Sequence, residues 1–216
     1  MIVDMTRTRT RRTQAQRSSK TKAALLDATL DLLVESGYKA TTTTAVAHRA
    51  GVSLGALLHH FPTKIDLLAA AIEHAFDRRT AEYRRAMAEV DAAEDKLDAT
   101  LDLLWSMWTG PTFTAFVELW VAARTDAELA DSLVAVDREF LRTSQEIYAD
   151  YFPGDQATDN GARSGLHLVF SLVTGLAFCN MIEGYHPFES KSVIETFKAM
   201  ARTRAESKLT VLERSQ

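Results

Sequence analysis

Gly37-Tyr38-Lys39-Ala40-Thr41-Thr42-Thr43-Thr44-Ala45-Val46-Ala47-His48-Arg49-Ala50-Gly51-Val52-Ser53-Leu54-Gly55-Ala56-Leu57-Leu58-His59-His60-Phe61-Pro62-Thr63-Lys64 decides the fold. The four threonines form a β-branched run that a helix interior resists and a helix start accepts, because a threonine hydroxyl can cap free backbone N–H groups. A short helix over about 43–50 follows. Gly51 breaks it, and Ser53 can cap a second short helix over about 54–60. Two short helices that cross steeply need a small residue where they touch and a glycine in the tight turn. Ala47 and Gly51 supply these, and Val46, Val52, Leu57 and Phe61 can fill the small core between the helices. The polar N-terminal edge of the second helix then faces outward, where free N–H groups and the helix dipole favour phosphate oxygens. Gly55 costs a helix roughly 1 kcal/mol relative to Ala, and close approach of the backbone to a nucleic acid would give a reason for it.

Upstream, residues 1–19 are Thr, Arg, Ser and Gln with almost no large apolar side chain, and they read as a flexible basic arm. Helical periodicity starts near Lys20, with Leu25, Ala28 and Leu32 on one stripe, and Gly37 stops it. Downstream, Thr63 and Asp66 have capping-box spacing and open a long helix to about Val90. Further helices are expected over 95–109, 112–124, 127–151, 156–183 and 190–213, punctuated by Gly110-Pro111, Pro153-Gly154, Gly184 and Pro187. No alternating strand pattern occurs. The expected fold is all-α: a three-helix unit over 20–66, followed by a body of about six helices over 67–216.

Composition narrows the function. With 46% hydrophobic residues the chain can bury a core, and its single cysteine, Cys179, cannot form an internal disulfide. The longest apolar run, 165–182, carries His167, Ser171, Thr174 and Asn180 and reads as a buried helix, not a membrane span. The net charge of −4 hides an asymmetry: residues 1–66 hold ten Lys/Arg against five Asp/Glu, and the rest of the chain is acidic. A basic head on an acidic body suggests that the head meets a polyanion, although a solvated basic tail would look the same.

Residues 20 to about 75 resemble the N-terminal domain of tetracycline-repressor-type transcriptional regulators. The shared pattern is Gly37-Tyr38, the threonine run, Ala50-Gly51-Val52-Ser53, then Gly55, Leu57, Phe61 and Lys64 at matching spacing. The resemblance implies a cytoplasmic homodimer without catalysis or cofactor. Such a dimer would bind palindromic double-stranded DNA through a helix-turn-helix and be released, as a repressor, by a small molecule. It also implies that Thr42, Thr43 and Thr44 approach phosphates. Ser53, Leu54, Gly55 and Ala56 would face base edges, Leu58, His59 and His60 would line the groove, and Lys64 would meet a phosphate. Three positions depart from the family: Leu58 where Tyr is usual, Thr44 where Arg is frequent, and Leu54, which cannot hydrogen-bond a base. Arg7, Arg9, Arg11 and Arg12 could compensate by entering a minor groove or neutralising backbone charge. The rival reading is an all-α enzyme or small-molecule carrier with a vestigial head.

The adjacent histidines His59 and His60 point about 100° apart on a helix, a poor grip for one metal ion, so no metal site is expected. In the body, Leu97, Leu101, Leu104, Trp105 and Trp108 share one face, and Phe113, Phe116, Val117, Trp120 and Val121 another. Such stripes are ordinarily core. The family resemblance adds weight to a pocket for an apolar or aromatic effector without choosing its residues, and Trp105, Trp108, Phe113, Phe116, Trp120, Phe140, His167 and Phe170 are the candidates. Met107, Glu118 and Asn180 could add polar or soft contacts. The last two helices carry surplus apolar surface, and Val173, Leu176, Ala177, Ile194, Phe197 and Met200 are the candidates for a dimer interface; intrachain packing is the alternative.

Overall fold

The computed structural model describes residues 14–90, 95–151, 159–182, 184–187 and 189–213; within these, the side chains of 89, 90, 97, 151, 159–164 and 204–213 are not described. Arg7, Arg9, Arg11, Arg12 and the Leu97 side chain therefore lie outside the described residues. Among the described residues the structure is helical throughout: α1 (Gln14–Ala40), α2 (Thr43–Arg49), α3 (Leu54–His60), α4 (Lys64–Val90), α5 (Lys96–Trp108), α6 (Pro111–Ala123), α7 (Ala127–Tyr151), α8 (Asp159–Cys179) and α9 (Ser190–Glu213). The all-α expectation stands. Two boundaries move: α1 starts at Gln14, ahead of Lys20, and α8 stops at Cys179, short of 183.

Each element begins or ends where local chemistry requires it. Gly37 has φ 74°, a left-handed value that stops the regular part of α1, and its carbonyl accepts the Thr41 hydroxyl at 2.9 Å. Gly51 has φ 68° in the turn between α2 and α3, closed by Val52 N–H donating to the Ala47 carbonyl at 3.0 Å. At α4 the capping box is reciprocal: Asp66 N–H donates to Thr63 Oγ1 and Thr63 N–H to Asp66 Oδ2, both at 3.0 Å.

Two apolar cores stack along the chain. The first joins Leu25 and Leu33 of α1, Val46 of α2, Leu57 of α3 and Leu68 and Ile72 of α4 to Ala115 and Leu119 of α6 and Leu129 and Leu133 of α7. The small N-terminal helices are thus packed on the body without a break, and α6 is the element that α1 leans on. The second core holds Tyr83, Met87, Leu104, Ile147, Leu166 and Phe170. Lys198 of α9 is buried against α5, where Asp98, Asp102 and Glu195 all accept from its ammonium at 2.6–3.1 Å. Burial alone would lower its pKa, but the three carboxylates outweigh that and raise it. No helix among the described residues is long and apolar enough to cross a membrane.

Candidate nucleic-acid interface and effector cavity

The outward edge of α3 is built by its caps. Ser53 Oγ accepts the Ala56 N–H at 3.2 Å, and Thr42 Oγ1 accepts the Ala45 N–H at 3.1 Å at the start of α2. Each hydroxyl fixes the start of its own helix. Leu57 is buried and anchors α3 inward, which turns Ser53, Leu54, Gly55, Leu58 and His59 outward as an exposed surface; Ala56 and His60 are half-buried. Thr42 and Thr44 are exposed and Thr43 half-buried, so the threonines border the same surface. Leu54 and Leu58 stay 40% and 43% exposed, which is costly for leucines in water unless something covers them.

Charge at the head is unevenly committed. Arg49 is paired by Asp31 and Glu35 of α1, and Glu35 is held below the usual carboxylate range, first by its hydrogen bond to Arg49. Lys64 is less free than the family pattern implies. Its ammonium donates to the Tyr38 carbonyl at 3.1 Å and lies 4.1 Å over the Tyr38 ring, and burial lowers its pKa. An ammonium has three N–H donors, so a phosphate contact remains open to it.

Tyr38 is a junction that sequence reasoning did not assign. Besides holding Lys64 at the start of α4, its N–H donates to Glu118 Oε2 of α6 at 3.1 Å. Its phenol is pushed above the usual value by burial and then by Asp126, to which it hydrogen-bonds in the α6–α7 turn. Glu118 also lies 3.0 Å from where a side chain on Gly37 would start. Glu118 therefore ties α6 to the end of α1 and is not among the residues that line the cavity. Its sequence signal was its position among the aromatics of α6.

Between α4, α5, α6, α7 and α8 lies a cavity of about 490 Å³, within the range of small-molecule sites. Of the proposed lining, Trp108, Phe113, Phe116, Trp120, Phe140 and Phe170 do line it, and Met107 joins them. Trp105 and His167 do not. Trp105 is half-buried outside the cavity, and His167 is exposed on the outer side of α8. Phe178, one of the body's aromatics in the sequence, lines it too, four and eight residues on from Thr174 and Phe170 on one face of α8; Phe76, Arg79, Thr112, Arg124, Asp137 and Thr174 complete the wall without having been singled out as lining from the sequence. Trp108 Nε1–H donates to Thr174 Oγ1 at 2.8 Å, and the Phe140 ring stacks on Phe76 with centroids 4.6 Å apart. Asn180 is spent on Ser190 and His186, away from the cavity.

The dimer candidates divide. Val173, Leu176, Ala177 and Ile194 are buried within the single chain, because α8 and α9 turn those faces onto α5 and its neighbours. They cannot meet a partner without repacking. Phe197 is half-buried, and Met200 is 66% exposed. The apolar surface that α8 presents outward is instead Leu168 and Phe178, continued by Ile182.

Residues 25–71 match the family described as bacterial regulatory proteins, tetR family. An HTH-type transcriptional regulator of Mycobacterium tuberculosis is 39% identical over 122 residues, covering 56% of this chain and 63% of the relative, so this match spans less than two thirds of that protein's length. The HTH-type transcriptional regulator CymR of Pseudomonas putida is 31% identical over 167 residues, covering 77% of this chain and 82% of CymR. Among solved structures, a transcriptional regulator from Rhodococcus sp. Rha1 superposes with a TM-score of 0.64 at 26% identity, covering 83% of this chain and 94% of that one. With its helix-turn-helix matched in sequence and most of its length aligned to CymR, the chain belongs to the tetR family of bacterial regulatory proteins.

Proposed function

We propose that the chain is a homodimeric transcriptional repressor of the cytoplasm, released from operator DNA by a small molecule bound in the aromatic cavity. One observation carries this reading: α6 serves both sites. Phe116, Val117 and Trp120 of α6 line the cavity, while Glu118 holds the Tyr38 N–H at the junction of α1 and α4. A ligand that shifts α6 must shift or strain that junction, and the junction sets where α4 begins and how α2 and α3 are carried. Differential affinity of the ligand for the two arrangements is the requirement, and by linkage DNA must weaken ligand binding equally.

On the DNA side, Ser53, Leu54, Gly55 and Ala56 lie in a major groove. Leu54 touches a thymine methyl, and Leu58, His59 and His60 follow the groove wall. Thr42, Thr43, Thr44 and Lys64 meet phosphates. The dimer forms across the outward face of α8 with Met200 of α9, an assignment supported by the exposure of Leu168, Phe178 and Ile182. The reading involves no catalysis. Selection of duplexes from a random pool by the full-length chain tests it. The expected product is an inverted repeat, its two halves mirroring the twofold axis. Failure to enrich any sequence, with the protein folded, would favour the all-α carrier or enzyme with a vestigial head.

A further inference from the structure

The cavity is electrically uneven. Eight aromatic side chains line it, together with two arginines and one aspartate. Arg79 is already committed: its Nη2 donates to the Met107 carbonyl at 2.5 Å at the C-terminal end of α5, and its Nη1 lies 3.5 Å from Glu82. Arg124 follows the last turn of α6 and is exposed. Asp137 differs from both. It is half-buried on α7, one turn before Phe140, and among the described residues no hydrogen bond or ion pair reaches its carboxylate.

We propose that the cavity selects an organic cation, an ammonium carrying an apolar or aromatic body, with its positive centre beside Asp137 and aromatic faces around it. The proposal rests on reading the cavity as the effector site and names the ligand class for it. Aromatic faces attract a cation through the ring quadrupole, more strongly where water is excluded. A carboxylate withdrawn from water without a partner is a standing cost that a ligand cation would offset. Burial accordingly pushes the Asp137 carboxyl above its usual value. An anionic ligand would find Arg79 turned to the Met107 carbonyl and Glu82 and Arg124 only in the exposed setting where an ion pair gains little, and it would share the cavity with Asp137. A neutral ligand would leave the carboxylate uncompensated.

The test uses the full chain without DNA and three probes of similar size: benzyltrimethylammonium, its neutral carbon analogue neopentylbenzene, and phenylacetate. Binding is read by calorimetry and by the fluorescence of Trp108 and Trp120, which line the cavity. The ammonium should bind at least about tenfold more tightly than either other probe. Asp137→Asn should abolish that preference by weakening the ammonium, with no loss of affinity for the neutral analogue, and Asp137→Glu should retain it. Equal or tighter binding of the neutral or anionic probe, a preference that survives in Asp137→Asn, or no binding of any probe overturns the proposal. Selection of an operator by the same protein without probes is independent of this result. A chain that binds DNA but shows no cation preference overturns only the ligand class. One that keeps the preference but selects no DNA overturns the regulator reading.

Discussion

Glu118→Ala separates the latch from the cavity. Glu118 Oε2 accepts the Tyr38 N–H at 3.1 Å in a part-buried setting, and the carboxylate leans on Gly37. Hydrogen bonds to charged acceptors contribute about 1.5–3 kcal/mol, and partial exposure puts this one near the low end, about 1.5 kcal/mol. For a chain of 216 residues that corresponds to a Tm lower by roughly 3–6 °C. Glu118→Gln keeps an acceptor at the same place and should lose about half as much. The informative readout is the coupling. Effector-driven release is typically worth 1–3 kcal/mol, about 5–150-fold in DNA affinity. With Glu118→Ala that factor should shrink, while a ligand that quenches Trp108 and Trp120 binds the free protein as before. Fluorescence anisotropy of a labelled operator, titrated with and without such a ligand, gives both affinities. A variant that loses the expected stability yet releases DNA by the full factor would refute the role given to α6, and Glu118 would be a structural contact only.

Gly55→Ala should stabilise the free protein by up to about 1 kcal/mol, because a Cβ there meets no atom within 4 Å, yet weaken operator binding if the α3 backbone closes on DNA; thermal unfolding and anisotropy check the two signs. Asp137→Asn should unfold at a higher temperature than the parent at pH 7. Burial raises the folded-state pKa, so the folded chain holds this proton to higher pH, the parent's handicap shrinks as pH falls through that pKa, and it is gone below the unfolded value near 3.8. Deleting residues 1–13 removes Arg7, Arg9, Arg11 and Arg12 and spares α1; the slope of log K against log salt should flatten by roughly one unit for each phosphate that the arm no longer neutralises, with the preferred half-site kept. Leu168→Glu should weaken the dimer by at least about a hundredfold in sedimentation experiments, since burying one leucine gives about 1.5–3 kcal/mol and the twofold axis counts it twice.

The head was legible because its chemistry is local. A seven-residue helix has little room for alternatives: Thr42, Ser53 and the Thr63–Asp66 pair cap where the spacing predicts, and Gly51 takes the left-handed turn its position requires. Lys64 shows the limit of such reading. Its spacing matches the family, but the tertiary fold brings Tyr38 beneath its ammonium from 26 residues away. The Tyr38–Glu118 contact spans 80 residues, and no local pattern pairs the two. The buried Lys198 is a stronger case, because its three carboxylates come from α5 and α9 and are brought together only by the packing of those helices.

The body resisted reading for a different reason. Periodicity shows that a helix has an apolar stripe, but α8 carries large apolar residues on more than one face. Packing against α5 and α7 takes Leu166, Val173, Leu176 and Ala177 inward, and Leu168, Ser171, Gly175 and Phe178, at spacings of three, four and three, are left facing out. Phe178 belongs to both the outward stripe and the cavity wall. A second subunit seated on α8 would therefore border the effector as well as cover apolar surface. On that arrangement a ligand that moves Phe178 acts on the subunit interface, and one that moves Trp120 or Phe116 acts on α6 and through Glu118 on the head. The two routes need not be separate, since one cavity touches both helices, and a dimer defective at Leu168 should then also respond abnormally to the effector.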